Sequence, residues 1–143
     1  MDMSAVGGNN ALDHGKSLIL LFNHRLTKKQ EEAARQTLNV TRIAEPPADL
    51  AQLWRHVPPE RVEIQDYLAP IRQWLTSKAR AGDYVLIQGD FGATYLMVTY
   101  AIENGYVPIY STTCRKAIEK DKDDGSVELQ HNFYHRIFRR YGV

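Results

Sequence analysis

A chain of 143 residues, with 43% hydrophobic and 24% charged content, is long enough and apolar enough for one globular domain with a core of its own. Its formal net charge of +1 argues against a protein that binds duplex nucleic acid, and no apolar stretch is long enough to predict a membrane span. The single cysteine, Cys114, excludes an intrachain disulfide and a zinc site with several cysteines, and is typical of a cytoplasmic protein.

The start of the chain differs from the rest. Residues 1–16 lack hydrophobic periodicity and predict a flexible leader, so a single domain is expected over residues 17–143. No repeat or linker divides that domain.

Apolar runs and helical patterns alternate along residues 17–110. The predicted elements are, in chain order, a strand at 17–22, a helix from Thr27 to about Leu38, a strand at 40–44, helices at 48–56 and 66–81, a strand at 84–87, an apolar helix closed by Asn104 and Gly105, and a strand at 107–110. Thr27 and Gln30 form a capping box, and Pro70 fits a first helical turn. Pro108 predicts an edge position or a strand start.

The last thirty residues have a different pattern. The run Asp123-Asp124-Gly125 predicts a hairpin between residues 117–121 and 126–131, and residues 133–141 fit either a strand or a helix. Strands and helices that alternate before a β-ribbon predict an α/β fold. We expect a mainly parallel sheet flanked by helices, with a C-terminal β-hairpin extension.

The most informative segment is the glycine-containing turn between the strand at 84–87 and the apolar helix. A helix that begins directly after a parallel strand offers free N–H groups to a phosphate, and Gly89 and Gly92 carry no Cβ to keep a ligand away. The turn lacks a Walker lysine and the third glycine of a dinucleotide fingerprint. Its glycines therefore predict either a phosphate site or only a tight turn.

Polar residues follow three of the predicted strands, at the sheet edge where α/β proteins bind ligands. The candidate ligand-binding and catalytic residues are Asn23, His24 and Arg25 after the first strand, Gln88, Gly89, Asp90, Phe91, Gly92, Ala93 and Thr94 in the glycine turn, and Ser111, Thr112, Thr113, Arg115 and Lys116 after the fourth. Their hydroxyls, amides and cations suit phosphodiester oxygens.

The chemistry is predicted to be metal-independent. Asp90 is the only carboxylate among these residues, whereas two-metal hydrolysis needs several. RNA supplies its own 2′-hydroxyl nucleophile, so a protein needs to hold that oxygen in line, neutralise the phosphate and move protons. We expect His24 to transfer protons, with Asn23 beside it and Arg115, or else Arg25 or Lys116, for charge; the alternative for His24 is a histidine that bonds only to backbone. His131 or His135 could replace it if the ribbon folds over the site.

Two further features leave alternatives open. Residues 131–141 mix aromatic rings with arginines, which predicts either base stacking with phosphate contacts or packing against the core or a partner subunit. Cys114 is expected to be a buried thiol, with a nucleophile as the alternative.

The run Leu20-Leu21-Phe22-Asn23-His24, with Leu26-Thr27 and residues 82–94, resembles the small CRISPR-associated ring nucleases of type III systems, whose fold is similar to the CARF (CRISPR-associated Rossmann) domain. The resemblance covers about residues 17–141. It implies a homodimer that binds cyclic oligoadenylate, most often cyclic tetra-adenylate, and linearises it without metal or cofactor, which switches off antiviral signalling. A sensor or sponge that binds the ring without cutting it is the alternative, and an unrelated phosphate-ester hydrolase is a third possibility.

Overall fold

The structure is a computed structural model, and it describes residues 15–143. The predicted leader lies outside the described residues except for Gly15 and Lys16, and Lys16 already belongs to the first strand. The strands are β1 (Lys16–Phe22), β2 (Val40–Ala44), β3 (Tyr84–Gln88), β4 (Val107–Asp121) and β5 (Val127–Arg140), and the helices are α1 (Lys28–Thr37), α2 (Ala48–Arg55), α3 (Ala69–Lys78) and α4 (Phe91–Glu103).

The five strands form one sheet in the order β2-β1-β3-β4-β5. β1 pairs in parallel with β2 and with β3, β3 pairs in parallel with β4, and β4 pairs antiparallel with β5. The predicted α/β class, the mainly parallel sheet and the antiparallel C-terminal extension are therefore confirmed.

Helices cover both faces of the parallel part of the sheet. One core layer contains Ile19, Leu21 and Ile87 together with apolar residues of α2, α3 and α4, and the other contains Leu18, Leu20 and Leu86 with Ala34 of α1. Neighbouring residues of β1 thus alternate between two buried layers, which is why its sequence is continuously apolar.

Helix boundaries follow local chemistry. The predicted capping box is confirmed, because Gln30 N donates to Thr27 Oγ1 at 3.1 Å and Thr27 N donates to Gln30 Oε1 at 2.9 Å. The helix predicted at 66–81 is shorter, since α3 begins after Leu68 and ends where Ala79 becomes extended at ψ 149°. Pro70 lies in its first turn, as predicted.

The fourth strand is much longer than the predicted 107–110. β4 continues through the serine and threonines to Asp121, since β5 pairs with it along nearly its whole length, from Ile109↔Arg140 to Asp121↔Val127. The predicted hairpin is confirmed, with Gly125 at φ +87°, and residues 133–140 are strand. Pro108 lies near the strand start, as predicted, but β4 is an interior strand.

Beyond the parallel sheet, β4 and β5 continue as a two-stranded ribbon. The register shifts between Ser111 and Thr113, and from there to the tip each strand pairs, within residues 15–143, only with the other. We call residues 113–135 the ribbon arm. At about 3.3 Å per residue the arm extends roughly 27 Å from Thr113 to its tip. Among residues 15–143, no helix has the length and hydropathy of a membrane span.

Candidate functional site

Strand order reverses between β1 and β3, and we call the space outside the carboxyl ends of these two strands the β1–β3 crevice. The chain moves from β1 to β2 on one side of β1 and then crosses to β3 on the other. Ligands of open α/β sheets bind at such a reversal, outside the carboxyl ends of the strands. Phe22 and Gln88 are paired at these ends. The residues after them, Asn23 in one loop and Gly89 in the other, therefore flank the crevice.

The turn after β3 begins α4 with a carboxylate cap. Asp90 is the N-cap residue, and its Oδ2 accepts from Ala93 N at 3.0 Å while its carbonyl accepts from Thr94 N at 2.8 Å. Within residues 15–143, the amides of Phe91 and Gly92 have no acceptor. Two N–H groups thus remain for a ligand, next to a carboxylate that already neutralises part of the helix dipole.

The two glycines of this turn lie in different surroundings, and only one of them is required by packing. A Cβ on Gly89 would lie 2.8 Å from Nε1 of Trp54, and this indole donates to Gln88 O at 3.2 Å. Packing against Trp54 therefore requires Gly89, which corrects the expectation that both glycines clear space for a ligand. A Cβ on Gly92 would make only ordinary contacts, 3.5 Å from Ile64 and from Asp90. Gly92 is also exposed.

A cleft of about 370 Å³ opens beside this turn. It is lined by Gln88, Gly89, Phe91, Thr94, Tyr110 and Tyr141. The Phe91 side chain is 95% exposed, and the rings of Tyr110 and Tyr141 lie 4.8 Å apart. Polar groups at a helix start and three aromatic rings therefore share one cleft. We call it the aromatic cleft.

Two residues outside the list of candidate site residues, Tyr110 and Tyr141, complete the aromatic cleft, and Tyr141 belongs to the segment 131–141 for which base stacking was one of the alternatives. Tyr141 donates from its hydroxyl to Ile87 O at 2.5 Å, and burial, with Tyr110 as a second cause, raises its pKa. Arg139 lies over the Tyr110 ring at 5.5 Å and donates to its hydroxyl at 2.8 Å. A cation thus stands at the rim of the cleft.

Two predicted site residues carry a buried polar atom without a partner among residues 15–143. These atoms are Oδ1 of Asn23 and Oγ1 of Thr94. Asn23 borders the β1–β3 crevice, and Thr94 lines the aromatic cleft. Buried polar atoms are normally satisfied, so both are candidates for a ligand contact.

His24 and Arg25 lie in a neighbouring cleft rather than with the glycine turn. That cleft, of about 170 Å³, is lined by Leu20, Phe22, His24, Arg25, Glu45, Pro46, Ala51 and Arg55. His24 is exposed and contacts the Phe22 ring edge-on at 5.5 Å between centroids. The structure thus separates the predicted proton-transfer residue from the aromatic cleft within one chain.

The third predicted cluster is not a loop after a strand but part of β4 itself. Ser111 is buried: its N–H donates to Gln88 Oε1 at 2.8 Å, and its hydroxyl bonds with Nδ1 of His135 at 2.5 Å and accepts from Gln30 at 3.3 Å. The Thr112 hydroxyl bonds to the backbone of Ile137 at the register shift. These two side chains hold the ribbon to the sheet, which corrects the expectation of a polar edge.

The other members of this cluster lie on the ribbon arm. Thr113, Arg115 and Lys116 are exposed, Lys116 lies 5.4 Å from the centre of the Tyr134 ring, and Cys114 between them is half-buried. Arg115, predicted to be catalytic, and Lys116 line neither the aromatic cleft nor the cleft of His24.

His135 is the titratable group at the junction of sheet and arm. Burial, with the charge of Lys29 as a second cause, lowers the pKa of His135 below its ordinary value. Its Nδ1 bonds to Ser111, whereas Nε2 is buried without a partner among residues 15–143. His131, the other candidate from the ribbon, is exposed on the arm.

The match to known proteins covers the ribbon arm and the aromatic cleft apart from Tyr141. The model of the Uncharacterized protein MJ1673 family matches residues 16–139. The chain belongs to this family. Uncharacterized protein MJ1673 of Methanocaldococcus jannaschii is 46% identical over 125 residues, which cover 87% of this chain and 95% of that relative. No solved structure matches this MJ1673-family chain.

Proposed function

We propose that this MJ1673-family protein is a CARF-like ring nuclease that binds cyclic oligoadenylate, such as cyclic tetra-adenylate, and linearises it as a homodimer. The observation that carries the proposal is the aromatic cleft, where the exposed Phe91 ring and the half-buried rings of Tyr110 and Tyr141 lie beside free helix N-terminal amides. The strand order β2-β1-β3-β4, all parallel, supports a Rossmann-like ligand site at the β1–β3 crevice.

Adenine bases fit the aromatic wall of the cleft. Phe91 presents its ring to solvent, and Tyr110 lines the same cleft with Arg139 over its ring. Base–aromatic stacking contributes about 1–3 kcal/mol per base, and an arginine beside a ring adds attraction for the adjacent phosphate.

Phosphate and ribose groups fit the polar side of the cleft. The free amides of Phe91, which lines the cleft, and of the adjacent, exposed Gly92 can donate to phosphate oxygens. The Thr94 hydroxyl and the Asn23 amide oxygen are available to a ribose hydroxyl. Because Asp90 is negative, we expect it to weaken rather than to favour a phosphate at this turn.

The proposed reaction needs no external nucleophile. A ribose 2′-oxygen attacks the adjacent phosphorus, a new P–O2′ bond forms, the P–O5′ bond breaks, and the products end in a 2′,3′-cyclic phosphate and a 5′-hydroxyl. The proton lost by the 2′-hydroxyl is balanced by the proton gained by the 5′-oxygen. His24 is the proposed proton carrier, with Asn23 as a positioning group.

One observation favours the second candidate, a sensor or sponge that binds the ring without cutting it. His24 lies in a separate cleft and Arg115 lies on the ribbon arm, so one chain does not gather its candidate catalytic groups around the aromatic cleft. A pure binder needs only the cleft.

The two functions are distinguished by chromatography of cyclic tetra-adenylate after incubation with the protein, with and without EDTA. Linear products with 2′,3′-cyclic phosphate ends, unaffected by EDTA, are expected. An intact ring that co-elutes with the protein would support the sponge, and an intact ring without binding would refute both functions. His24→Ala is expected to slow single-turnover cutting about 10²-fold or more while binding is preserved.

The ligand's position is tested by two substitutions at the glycine turn. Gly92→Val is expected to abolish binding of the ring because the side chain would fill the approach to the free amides, while Ala48→Val, in the exposed first turn of α2, serves as the matched control. Asp90→Asn retains a good N-cap and removes a charge, so affinity should rise. Unchanged affinity in Gly92→Val would overturn the placement of phosphate at this turn.

A further inference from the structure

The ribbon arm carries its apolar side chains on one face. Cross-strand partners in an antiparallel ribbon share a face, and the pairs Arg115↔Phe133, Ala117↔His131, Glu119↔Leu129 and Asp121↔Val127 alternate with pairs on the opposite face. Val127, Leu129 and Phe133 are 56%, 56% and 66% exposed. One face of the arm therefore combines three large apolar side chains with Arg115, Ala117, Glu119, Asp121 and His131. We call it the apolar face of the arm.

The opposite face is mainly polar. Its cross-strand pairs are Cys114↔Tyr134, Lys116↔Asn132, Ile118↔Gln130 and Lys120↔Glu128. Two-stranded ribbons without a covered face are marginally stable in water, and contiguous exposed apolar surface marks an interaction site. The apolar face is thus the surface of the arm that gains from being covered.

Residue order on the apolar face is symmetric about the pair Ala117↔His131. Two residues to one side of it lies the pair Arg115↔Phe133, and two residues to the other side lies the pair Glu119↔Leu129. A two-fold axis through the central pair would therefore place Arg115 opposite Glu119 of a second copy, twice, and Phe133 opposite Leu129 of that copy, twice. The face is complementary to itself in charge and in apolar character, as an isologous interface requires.

We propose that two copies of this chain associate through the apolar faces of their ribbon arms, antiparallel, with the two-fold axis at Ala117 and His131. The net charge of +1 leaves little overall repulsion between copies. The proposed function includes a homodimer, and this proposal, which rests on it, assigns the apolar face of the arm as the dimer interface. Because it is tested without nucleotide, its failure and the failure of the nuclease proposal are distinguishable.

The first test is the oligomeric state of the full chain by sedimentation velocity across a concentration series, without nucleotide. The wild type is expected to dimerise, and Phe133→Asp is expected to be monomeric because it places a charge in the apolar contact. The matched control is Ile118→Asp, which changes an apolar residue on the opposite face of the same ribbon and should remain dimeric. A monomeric wild type, or a Phe133→Asp variant that is still dimeric, would overturn the proposal.

Charge exchange tests the two-fold arrangement itself. Arg115→Glu and Glu119→Arg should each weaken self-association by about tenfold or more, since each turns two attractive contacts into repulsive ones. A mixture of the two variants should form heterodimers in native mass spectrometry, because every contact then joins opposite charges. The double variant Arg115→Glu/Glu119→Arg should regain wild-type association. No heterodimer and no recovery would refute the antiparallel register, even if the protein dimerises.

Discussion

Strand β4 passes through two regions that bury apolar side chains to very different extents. In the sheet, Ile109 is 1% exposed and packs between β3 and β5 in the layer under α1. In the ribbon arm, Ile118 of the same strand is 40% exposed, and Phe133 and Leu129 on β5 are more exposed still. The strand geometry continues from one region to the other, while the helices that cover the sheet do not.

This difference shows that two properties of a strand are independent: which side chains share a face, and whether that face is buried. Alternation of apolar and polar residues along β5 determines which side chains share a face. Whether that face is buried depends on the element that packs on it, which is α1 for the sheet. The pattern on a strand therefore predicts which side chains share a face, but not which element packs on that face. For the ribbon arm, we propose that a second copy of the chain packs there.

The largest predicted effect is on the free energy of unfolding, and it differs between a leucine in the sheet, Leu86, and a leucine in the ribbon arm, Leu129. Leu86→Ala removes a fully buried side chain and should lower the free energy of unfolding by about 2–5 kcal/mol, at any protein concentration. Leu129→Ala should have little effect on a monomer and should destabilise only to the extent that the dimer is populated. Urea unfolding followed by tryptophan fluorescence at several protein concentrations measures both.

Equal, concentration-independent losses for the two leucine variants would contradict the comparison, because they would mean that the arm is part of the monomer core. The readout is direct, since Trp54 and Trp74 are the protein's two tryptophans and both are buried in the sheet region. A wild-type transition that shifts to higher urea with rising concentration would support association through the arm.

A smaller effect is expected at the glycine turn, where Gly89 packs against Trp54 and Gly92 is exposed. Gly89→Ala should destabilise the fold by about 1–3 kcal/mol, because its Cβ would lie 2.8 Å from the Trp54 indole nitrogen. Gly92→Ala should leave stability unchanged or raise it by up to about 1 kcal/mol, as alanine is the better helix residue. Thermal unfolding of both variants checks this, and a destabilised Gly92→Ala would show that Gly92, too, is needed for packing.

Much of the fold was predictable because it follows from local chemistry. The continuous apolar run of β1, the capping box at Thr27 and Gln30, and the Asp123-Asp124-Gly125 turn each predict one element. The length of β4 was not predictable in this way. Ser111 and Thr112 are typical of a loop, and they remain strand because β5 pairs alongside them. That pairing joins residues far apart in the chain.

The candidate site was predictable to the same limited extent. The strand-then-helix pattern located the turn with Asp90 and Gly92, but the indole that explains Gly89 comes from α2, thirty-five residues earlier. Tyr141 could have been found by counting the hairpin outward from its tip, where Asp121 pairs with Val127, since this brings the end of β5 beside the start of β4. The separation of His24 into its own cleft depends on α2 packing, which no local pattern reports.

The smallest effect is expected from pH at the junction between sheet and arm. Because burial and Lys29 lower the pKa of His135 in the folded state, the unfolded chain binds a proton more readily between that lowered pKa and the ordinary value near 6.5. Stability should therefore decline as pH falls through 6.5 and level off below the folded pKa. His135→Gln should flatten the stability profile over this pH window, whereas His56→Gln, which removes an exposed imidazole from the end of α2, should leave it unchanged. Urea unfolding at a series of pH values measures the profile, and a slope that persists in His135→Gln would assign the pH dependence to another group.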